Sequence, residues 1–335
     1  MRLPSAVTGF LQKPSRRSVI GFLQHDRFEK SVTRHIDQYF NLYPAATHSI
    51  KAETIQNANP FLPESWASPP INVYILKDVL IHSSTGIVYL PSSRSYVEEF
   101  SWGWGKTRTN QLRGSIRYPK DRSIEVDHLS YVFAGRGYHG LLEDIPALIA
   151  LRERGLNVNV VIENDNLWMI RILSFLGIPN EKIQQTPKGR WIKSSSAVLV
   201  SKSPHGEYIH PELINNLSNY PVEEDEVFSS NKKIFIRRND AGSRLHPNEE
   251  KISERFLEKG YTRLSLSKLP IAEQIAHFIT ADAVAGFHGA GLANIVWCKK
   301  RITVHELYSP NHFNPCYFCL SKSLGHQYVL SNAET

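Results

Sequence analysis

A glycine-rich segment constrains this chain more than any other feature of its sequence. Residues 285–294 read Ala-Gly-Phe-His-Gly-Ala-Gly-Leu-Ala-Asn, between an apolar run typical of a strand and a run compatible with a helix. A strand-to-helix turn leaves backbone N–H groups unpaired, and the helix dipole adds partial positive charge to them. Glycine lets a phosphate approach this backbone without interference from a Cβ atom. The segment therefore predicts an anion site, and the alternative is a tight turn around a packed histidine.

Two further predicted strands end in charged residues. An upstream strand ends in Arg238, and the polar loop beyond it contains Arg244, whereas a downstream strand ends in Glu306. In an open α/β sheet, ligands bind beyond the carboxyl ends of the strands, so these residues are expected to converge. Guanidinium groups suit diphosphate oxygens, and a carboxylate suits the hydroxyls of a ribose. The pattern predicts a nucleotide-diphosphate site, with an ion pair to Arg301 as the alternative role of Glu306.

The order of these residues resembles that of glycosyltransferase family 61, whose bacterial members are usually labelled capsular-polysaccharide biosynthesis proteins. The resemblance is strong over about residues 232–330, is weaker over 70–155, and does not extend to the first sixty residues. Arg237 stands where the family often has Ser, and Asn239 stands where a second basic residue is common. The resemblance is carried by Arg238, Arg244, Asn248-Glu249, Glu273-Gln274, residues 286–294 and Glu306.

The C-terminal half thereby gains a predicted donor site. Its expected members are Arg238, Arg244, His288, Gly289, Ala290, Gly291, Asn294 and Glu306. The two arginines and the amides of the glycine-rich segment would hold the diphosphate, and the glutamate would hold the ribose. The histidine would either donate to a phosphate oxygen or cap the helix.

A second glycine-rich segment supports a different interpretation. Gly135, Gly137 and Gly140 follow a predicted strand and precede a helix, and the next strand ends in Glu163. That context matches a dinucleotide-binding fingerprint with its ribose-binding acid. An NAD-dependent oxidoreductase is therefore one alternative function, and a catalytically dead nucleotide-binding subunit is another.

The same segment also resembles an N-terminal motif of the family, Tyr-His-Trp-Leu-Leu-Asp-x-Leu-Pro. Here Gly140 replaces the usual Trp, and Glu143 replaces the usual Asp. We favour the transferase because an oxidoreductase would leave the charged residues of the C-terminal half without a role. The resemblance implies an inverting glycosyltransferase, a hexosyl- or pentosyltransferase, acting in capsular or other surface polysaccharide synthesis.

Inverting transfer to a hydroxyl needs a base for the acceptor and neutralisation of the charge on the leaving diphosphate. We predict His139 as the base, because the dipole at a helix N-terminus favours the neutral imidazole. Glu143, one helical turn on, would orient the ring or act as the base itself, and a hydrogen-bonded turn histidine is the alternative for His139. No Asp-x-Asp string occupies a plausible site. We therefore expect no metal, and no cofactor beyond a nucleotide-diphosphate sugar as donor.

The composition limits the classes of partner and compartment. Lys and Arg number 39 against 32 Asp and Glu, an excess that suits an anionic ligand or surface but does not demand nucleic acid. No apolar run approaches the ~20 residues that span a bilayer. Three cysteines, an odd count, indicate a reducing compartment, and Cys316 and Cys319 lie in a stretch that predicts a buried helix rather than a zinc site. We expect a cytoplasmic protein, with peripheral association at the inner membrane face allowed, that acts on a glycan or lipid-linked glycan.

The organisation of the chain predicts an α/β fold. Residues 71–100 alternate apolar and polar positions, which indicates β-hairpins, and strand–helix alternation follows on both sides of an acidic linker. We expect a GT-B-like arrangement, in which two Rossmann-type domains face a cleft. The expected parts are an N-terminal extension (1–70), an acceptor-side domain with the β-hairpin region (71–222) and a nucleotide-sugar-binding domain (223–335).

Overall fold

A computed structural model describes the fold of residues 21–22, 36–49, 62–92, 95–97, 100, 123–202, 208–222, 232–238, 246–308 and 314–332. The chain divides into two compact units. Unit 1 comprises residues 1–47 and 67–210, and unit 2 comprises residues 48–66 and 211–335.

The strands are β1 (Gly21–Phe22), β2 (Ile36–Tyr43), β3 (Ala46–Ser49), β4 (Ser65–Ser68), β5 (Ile71–Leu76), β6 (Val79–His82), β7 (Val88–Leu90), β8 (Ser95–Val97), β9 (Ser123–Phe133), β10 (Asn159–Glu163), β11 (Ile183–Thr186), β12 (Trp191–Val200), β13 (Lys233–Ile236), β14 (Thr262–Leu264), β15 (Ala283–Phe287), β16 (Thr303–Tyr308) and β17 (Gln327–Asn332). The α-helices are α1 (Gly137–His139), α2 (Ile145–Glu153), α3 (Leu167–Phe175), α4 (Pro211–Ser218), α5 (Glu249–Leu257), α6 (Ile271–Thr280) and α7 (Cys316–Ser323). A π-helical turn spans Gly140–Asp144, and 3₁₀ helices span Asn180–Lys182, Leu266–Lys268 and Ala290–Trp297.

Unit 1 is built on a ten-stranded mixed sheet. Strands β6, β7 and β8 form an antiparallel meander, as the alternation over residues 71–100 predicts. Strands β5 and β6 lie end to end along one edge of β12, and Asp78 between them has a positive φ of 55°. On the other side of β12 the sheet is parallel, in the order β12-β9-β10-β11. Because β10 and β12 flank β9 on opposite sides, the strand order reverses at β9, where ligands of α/β sheets bind.

Unit 2 contains a five-stranded sheet in the order β14-β13-β15-β16-β17, in which every pairing is parallel. Its central strands are buried apolar runs, as expected for a parallel sheet covered on both faces. The first strand along the chain, β13, lies between the second and the third, so the order reverses between β13 and β15. This reversal is the expected ligand position of the sheet.

The α/β class predicted from the sequence is confirmed. The run after the glycines that is compatible with a helix forms a 3₁₀ helix, in which Asn294 donates its side-chain amide to the carbonyl of Gly291 and so competes with α-helical bonding. Strand β12 begins at Trp191. Its Ser-rich first half resembles a loop in sequence but pairs with β6 and β9.

The units divide the chain elsewhere than the predicted domain boundaries. Strand β2, which lies in the predicted extension, pairs with β5 inside the main sheet of unit 1. In unit 2, Trp66 is buried, stacks on His48 and meets the ring of Phe318 edge-on. Long-range pairing and ring packing of this kind leave no periodic signal in so short a stretch of sequence.

Candidate functional site

Arg238 lies at the strand reversal of unit 2, directly beyond β13. Its backbone N–H donates to the carboxylate of Glu249 at 2.7 Å, which gives the Asn-Glu part of the sequence motif a structural role. Its guanidinium donates to the carbonyl of His288. A Cβ atom at Gly289 would collide with that guanidinium, so glycine at this position leaves room for the arginine to lie where it does. The neighbouring Arg237 instead pairs with Glu250 on α5 at 2.6 Å.

Residues 288–291, the glycine turn, have their carbonyl groups fixed by surrounding side chains. The hydroxyl of Tyr317 donates to the carbonyl of Gly289 at 2.5 Å, while Arg238 holds that of His288. In a trans peptide the N–H points opposite to the C=O, so these bonds also fix the N–H groups of Gly289 and Ala290. The first amide bonded within the 3₁₀ helix is that of Leu292, which donates to Gly289 at 3.0 Å. The turn therefore presents oriented amides ahead of the helix, as an anion site requires.

Gly291, the last residue of the turn, packs against β13, and Asn294 follows in the 3₁₀ helix. A Cβ atom at Gly291 would lie 3.0 Å from Cγ2 of Ile236 on β13, so a side chain there would press the turn away from the sheet. Asn294 is buried and bonds to the carbonyl of Gly291 at 3.0 Å. This bond shapes the turn, and the contact of Asn294 with the donor stays a prediction.

His288, Glu306 and Tyr328 form a hydrogen-bonded row across three adjacent strands. Nδ1 of His288 lies 2.5 Å from Oε1 of Glu306, and the Tyr328 hydroxyl donates to Oε2 at 2.5 Å. Glu306 has no exposed surface, and the His288 side chain is 11% exposed. Burial and the charge of Glu306 raise the pKa of Tyr328 well above its ordinary value, so this hydroxyl stays protonated and donates.

This row bears on the roles expected for Glu306 and His288. Both oxygens of Glu306 accept hydrogen bonds inside the protein and the residue is buried, which argues against a contact with a ribose. Among the described residues its partners are His288 and Tyr328, not Arg301. His288 bonds through Nδ1 to Glu306. Arg244, the second predicted arginine, lies outside the described residues.

In unit 1, His139 and Glu143 lie together, as the spacing of one helical turn predicts. Nδ1 of His139 is 2.8 Å from Oε2 of Glu143; the carboxylate is buried and the imidazole is 21% exposed. A carboxylate accepts the Nδ1 proton, which leaves Nε2 as the nitrogen that could exchange a proton with an acceptor. His139 ends α1, and Glu143 lies in the π-helical turn that follows, a feature found often at functional sites.

The groups of the dinucleotide fingerprint bond to other parts of the protein. The N–H of Gly135 donates to the carboxylate of Asp144 at 2.7 Å, where a bound pyrophosphate would need it. Asp144 also accepts from the Tyr131 hydroxyl at 2.5 Å and pairs with Lys202. Gly140 packs so closely on the backbone of Gly135 that a Cβ atom would collide with it, so this backbone does not admit the Trp of the family motif.

The acid of that fingerprint is also committed. Glu163 is buried and accepts from the Ser83 hydroxyl at 2.8 Å and from the Gly189 N–H at 2.8 Å. Ser84 and Arg136 donate to the same carboxylate. The Gly135 amide and the Glu163 carboxylate, which NAD binding would require, are therefore both bonded within the protein.

Cys316 and Cys319 are free and buried in α7, which confirms core packing for this pair. Across the described ranges, no group of three or more His, Cys, Asp or Glu side chains could hold a metal ion. No helix among those residues is both long and apolar enough to cross a membrane.

Comparison with known proteins agrees with the resemblance. A search of curated proteins found no match to the chain. Residues 79–305 match the family described as Glycosyltransferase 61, a span that covers most of the chain and includes the glycine turn and the His139–Glu143 pair. The chain therefore belongs to glycosyltransferase family 61.

Proposed function

We propose that the protein is an inverting glycosyltransferase that moves a sugar from a nucleotide-diphosphate sugar to a hydroxyl of a glycan or lipid-linked glycan. The observation that carries the proposal is the glycine turn, where the Arg238 guanidinium and the fixed amides of Gly289 and Ala290 meet at the strand reversal of unit 2. Such a set of donors matches the oxygens of a diphosphate. A GT-B arrangement and a role in capsular or other surface polysaccharide synthesis, in the cytoplasm, belong to the same proposal.

The donor side neutralises the leaving group. Arg238 supplies a charge-assisted contact, the turn supplies two amides, and Arg244 is proposed as a second guanidinium. Charge grows on the diphosphate oxygen as the glycosidic bond breaks, so preoriented donors stabilise the transition state more than the ground state. These donors make a divalent cation unnecessary, and we expect transfer to survive EDTA. Loss of activity that only Mg²⁺ or Mn²⁺ restores would contradict this part.

The acceptor side supplies the base. The acceptor oxygen attacks the anomeric carbon, and its proton passes to Nε2 of His139. The bond between that carbon and the phosphate oxygen breaks, and its electron pair leaves with the nucleoside diphosphate. Glu143 holds Nδ1 of the ring and stabilises the imidazolium that forms.

A thermal-shift screen with UDP, GDP, CMP and NADH tests the proposal. At a concentration of about 100 Kd, a ligand stabilises the folded state by about 2.7 kcal/mol, so the right nucleotide should raise Tm by several degrees. We expect at least one nucleoside diphosphate to do so and NADH not to. Stabilisation by NADH alone would establish the oxidoreductase, and nucleotide binding without transfer or donor hydrolysis would indicate a dead subunit.

A further inference from the structure

We propose that Glu306 and Tyr328 are positioning residues that keep His288 protonated, so that its Nε2–H donates to the leaving diphosphate. The inference rests on the proposed function and replaces the ribose contact expected for Glu306. His288 then acts as a second cationic donor at the glycine turn, beside the Arg238 guanidinium and the neutral amides of Gly289 and Ala290.

Glu306 is the buried middle member of the hydrogen-bonded row. The residue has no exposed surface, and an ionised carboxylate in such a place needs a positive partner and donors for both oxygens. Tyr328 satisfies Oε2 as a neutral donor, and His288 at Oε1 is the group that can carry the compensating charge. The arrangement therefore favours the imidazolium form of His288.

Titratable and charged side chains on the neighbouring elements face the His288–Glu306 pair. Tyr317 on α7 places its ring edge-on to His288, with 5.1 Å between centroids, and its hydroxyl is used by Gly289. Burial, followed by the charge of Glu306, raises the pKa of Cys316 well above its ordinary value, and burial raises that of Cys319 to about 12. Both thiols are therefore neutral at physiological pH. From the end of β13, Arg238 contacts the carbonyl of His288 rather than Glu306.

His288 is the first residue of the glycine turn. It directly precedes the amides of Gly289 and Ala290, and its own carbonyl is held by Arg238. Because Nδ1 bonds to Glu306, the proposed bond to the diphosphate comes from Nε2. The imidazolium keeps its proton during bond cleavage. It stabilises the developing charge through a hydrogen bond, so no further proton is transferred in the step described above.

Inorganic pyrophosphate is the probe for this inference, because it lacks a base and a ribose. Its affinity for the full chain is measured by calorimetry across the pH range in which an imidazole titrates. We expect wild-type affinity to fall about tenfold or more as His288 loses its proton with rising pH. Glu306→Gln should weaken binding at neutral pH by a similar factor and move the fall in affinity to lower pH. Tyr328→Phe should act in the same direction but less, because Oε2 loses its donor.

A matched control is His305→Gln on the same strand, where the imidazole bonds to the Ser331 hydroxyl at 2.8 Å instead of to Glu306. Its pyrophosphate affinity and pH profile should equal those of the wild type. Equal affinity and an equal pH profile in Glu306→Gln would overturn the inference and leave the proposed donor site intact. Failure of wild type to bind pyrophosphate or any nucleoside diphosphate would overturn both.

Nitrogen NMR of the folded wild type keeps the inference testable if Glu306→Gln does not fold. The ring nitrogens of His288, assigned with His288→Gln, should both carry protons at neutral pH. A neutral ring under those conditions would overturn the inference whatever the behaviour of the variants.

Discussion

The two units each contain a histidine bonded through Nδ1 to a buried glutamate, and the two pairs are built differently. His139 and Glu143 are four residues apart within one helical turn, whereas His288 and Glu306 come from adjacent strands. The first imidazole is 21% exposed and its carboxylate retains 3% exposure, against 11% and none in the second pair. A more open imidazole with a local partner suits a base that must reach an acceptor proton. The enclosed pair beside Arg238 suits a fixed charge that faces an anion.

Under the two proposals above, the same two side chains take opposite roles because their surroundings differ. Near His139, the glutamate bonds to the imidazole, and its charge also acts on the Tyr131 hydroxyl. Near His288, the Tyr328 hydroxyl donates to the second oxygen of Glu306, and the Arg238 guanidinium donates to the backbone carbonyl of the histidine. A histidine–glutamate pair can therefore serve as a base in one unit and as a charged donor in the other. Variants of the His139 pair should then change turnover, and variants of the His288 pair should change donor binding.

The largest effect is expected from His139→Ala. Loss of the base should lower kcat by about 10²–10⁴-fold, the usual range for general-base removal. The affinity for the nucleoside diphosphate should stay within about twofold, because the donor contacts lie in unit 2. Initial-rate kinetics and calorimetry on the same preparation check the two halves. Loss of nucleotide binding with turnover retained would reverse the assignment of the two pairs.

The next largest effect is expected from Arg238→Ala, which should weaken nucleotide binding by about 2–4 kcal/mol through loss of a charge-assisted contact. Arg237→Ala is its matched control, since that neighbouring guanidinium pairs with Glu250 on α5. Calorimetric titration of both variants with the same nucleotide gives the comparison. Equal losses in the two variants would show that general charge, rather than the glycine turn, attracts the ligand.

The sequence predicts the local pair and the glycine turn but not the enclosed row. A spacing of four residues places Glu143 against His139 in any helical turn, and the glycines mark where a backbone must approach an anion. The bond from Glu306 to Tyr328 depends on sheet register, in which Glu306 pairs with Leu330 and Tyr328 lies two residues away. In sequence, a carboxylate at a strand end predicts ribose binding. Its burial depends on how the strands assemble, so the sequence does not predict it. The bond between Gly135 and Asp144, which closes the dinucleotide fingerprint, is hidden for the same reason.

Glu143→Gln should have an intermediate effect, lowering kcat by about 10–100-fold, because second-shell carboxylates orient and stabilise a histidine rather than take the proton. The pH–rate profile of the variant should move with the imidazole, which identifies the group that titrates. If Glu143→Gln is inactive while His139→Ala is mildly affected, the carboxylate is the base.

The smallest effect concerns stability, and it again separates the units. Burial is the largest cause that lowers the pKa of His82 in unit 1 and of His48, His277, His305 and His326 in unit 2 below 6.5. These rings are neutral when folded and take up a proton on unfolding once the pH falls below 6.5. The unfolded state then binds more protons, so the stability present above this pH is lost as the pH falls toward the lowered values.

Because four of these five histidines lie in unit 2, mild acid should loosen unit 2 before unit 1. Carboxyl groups do not mask the difference: that of Asp165, for example, has its pKa lowered by the hydrogen bond from Arg136 and titrates in a more acidic range. Amide hydrogen exchange read by mass spectrometry between about pH 7.5 and pH 5.5, corrected for the intrinsic exchange rate, resolves the two units. Protection should fall first in the strands around β13, β15 and β16, which carry the glycine turn, and nucleotide should restore it. Earlier loss in β9 and β10 would mean that buried histidines do not govern the acid stability of this fold, and that the enclosed site is the more robust of the two.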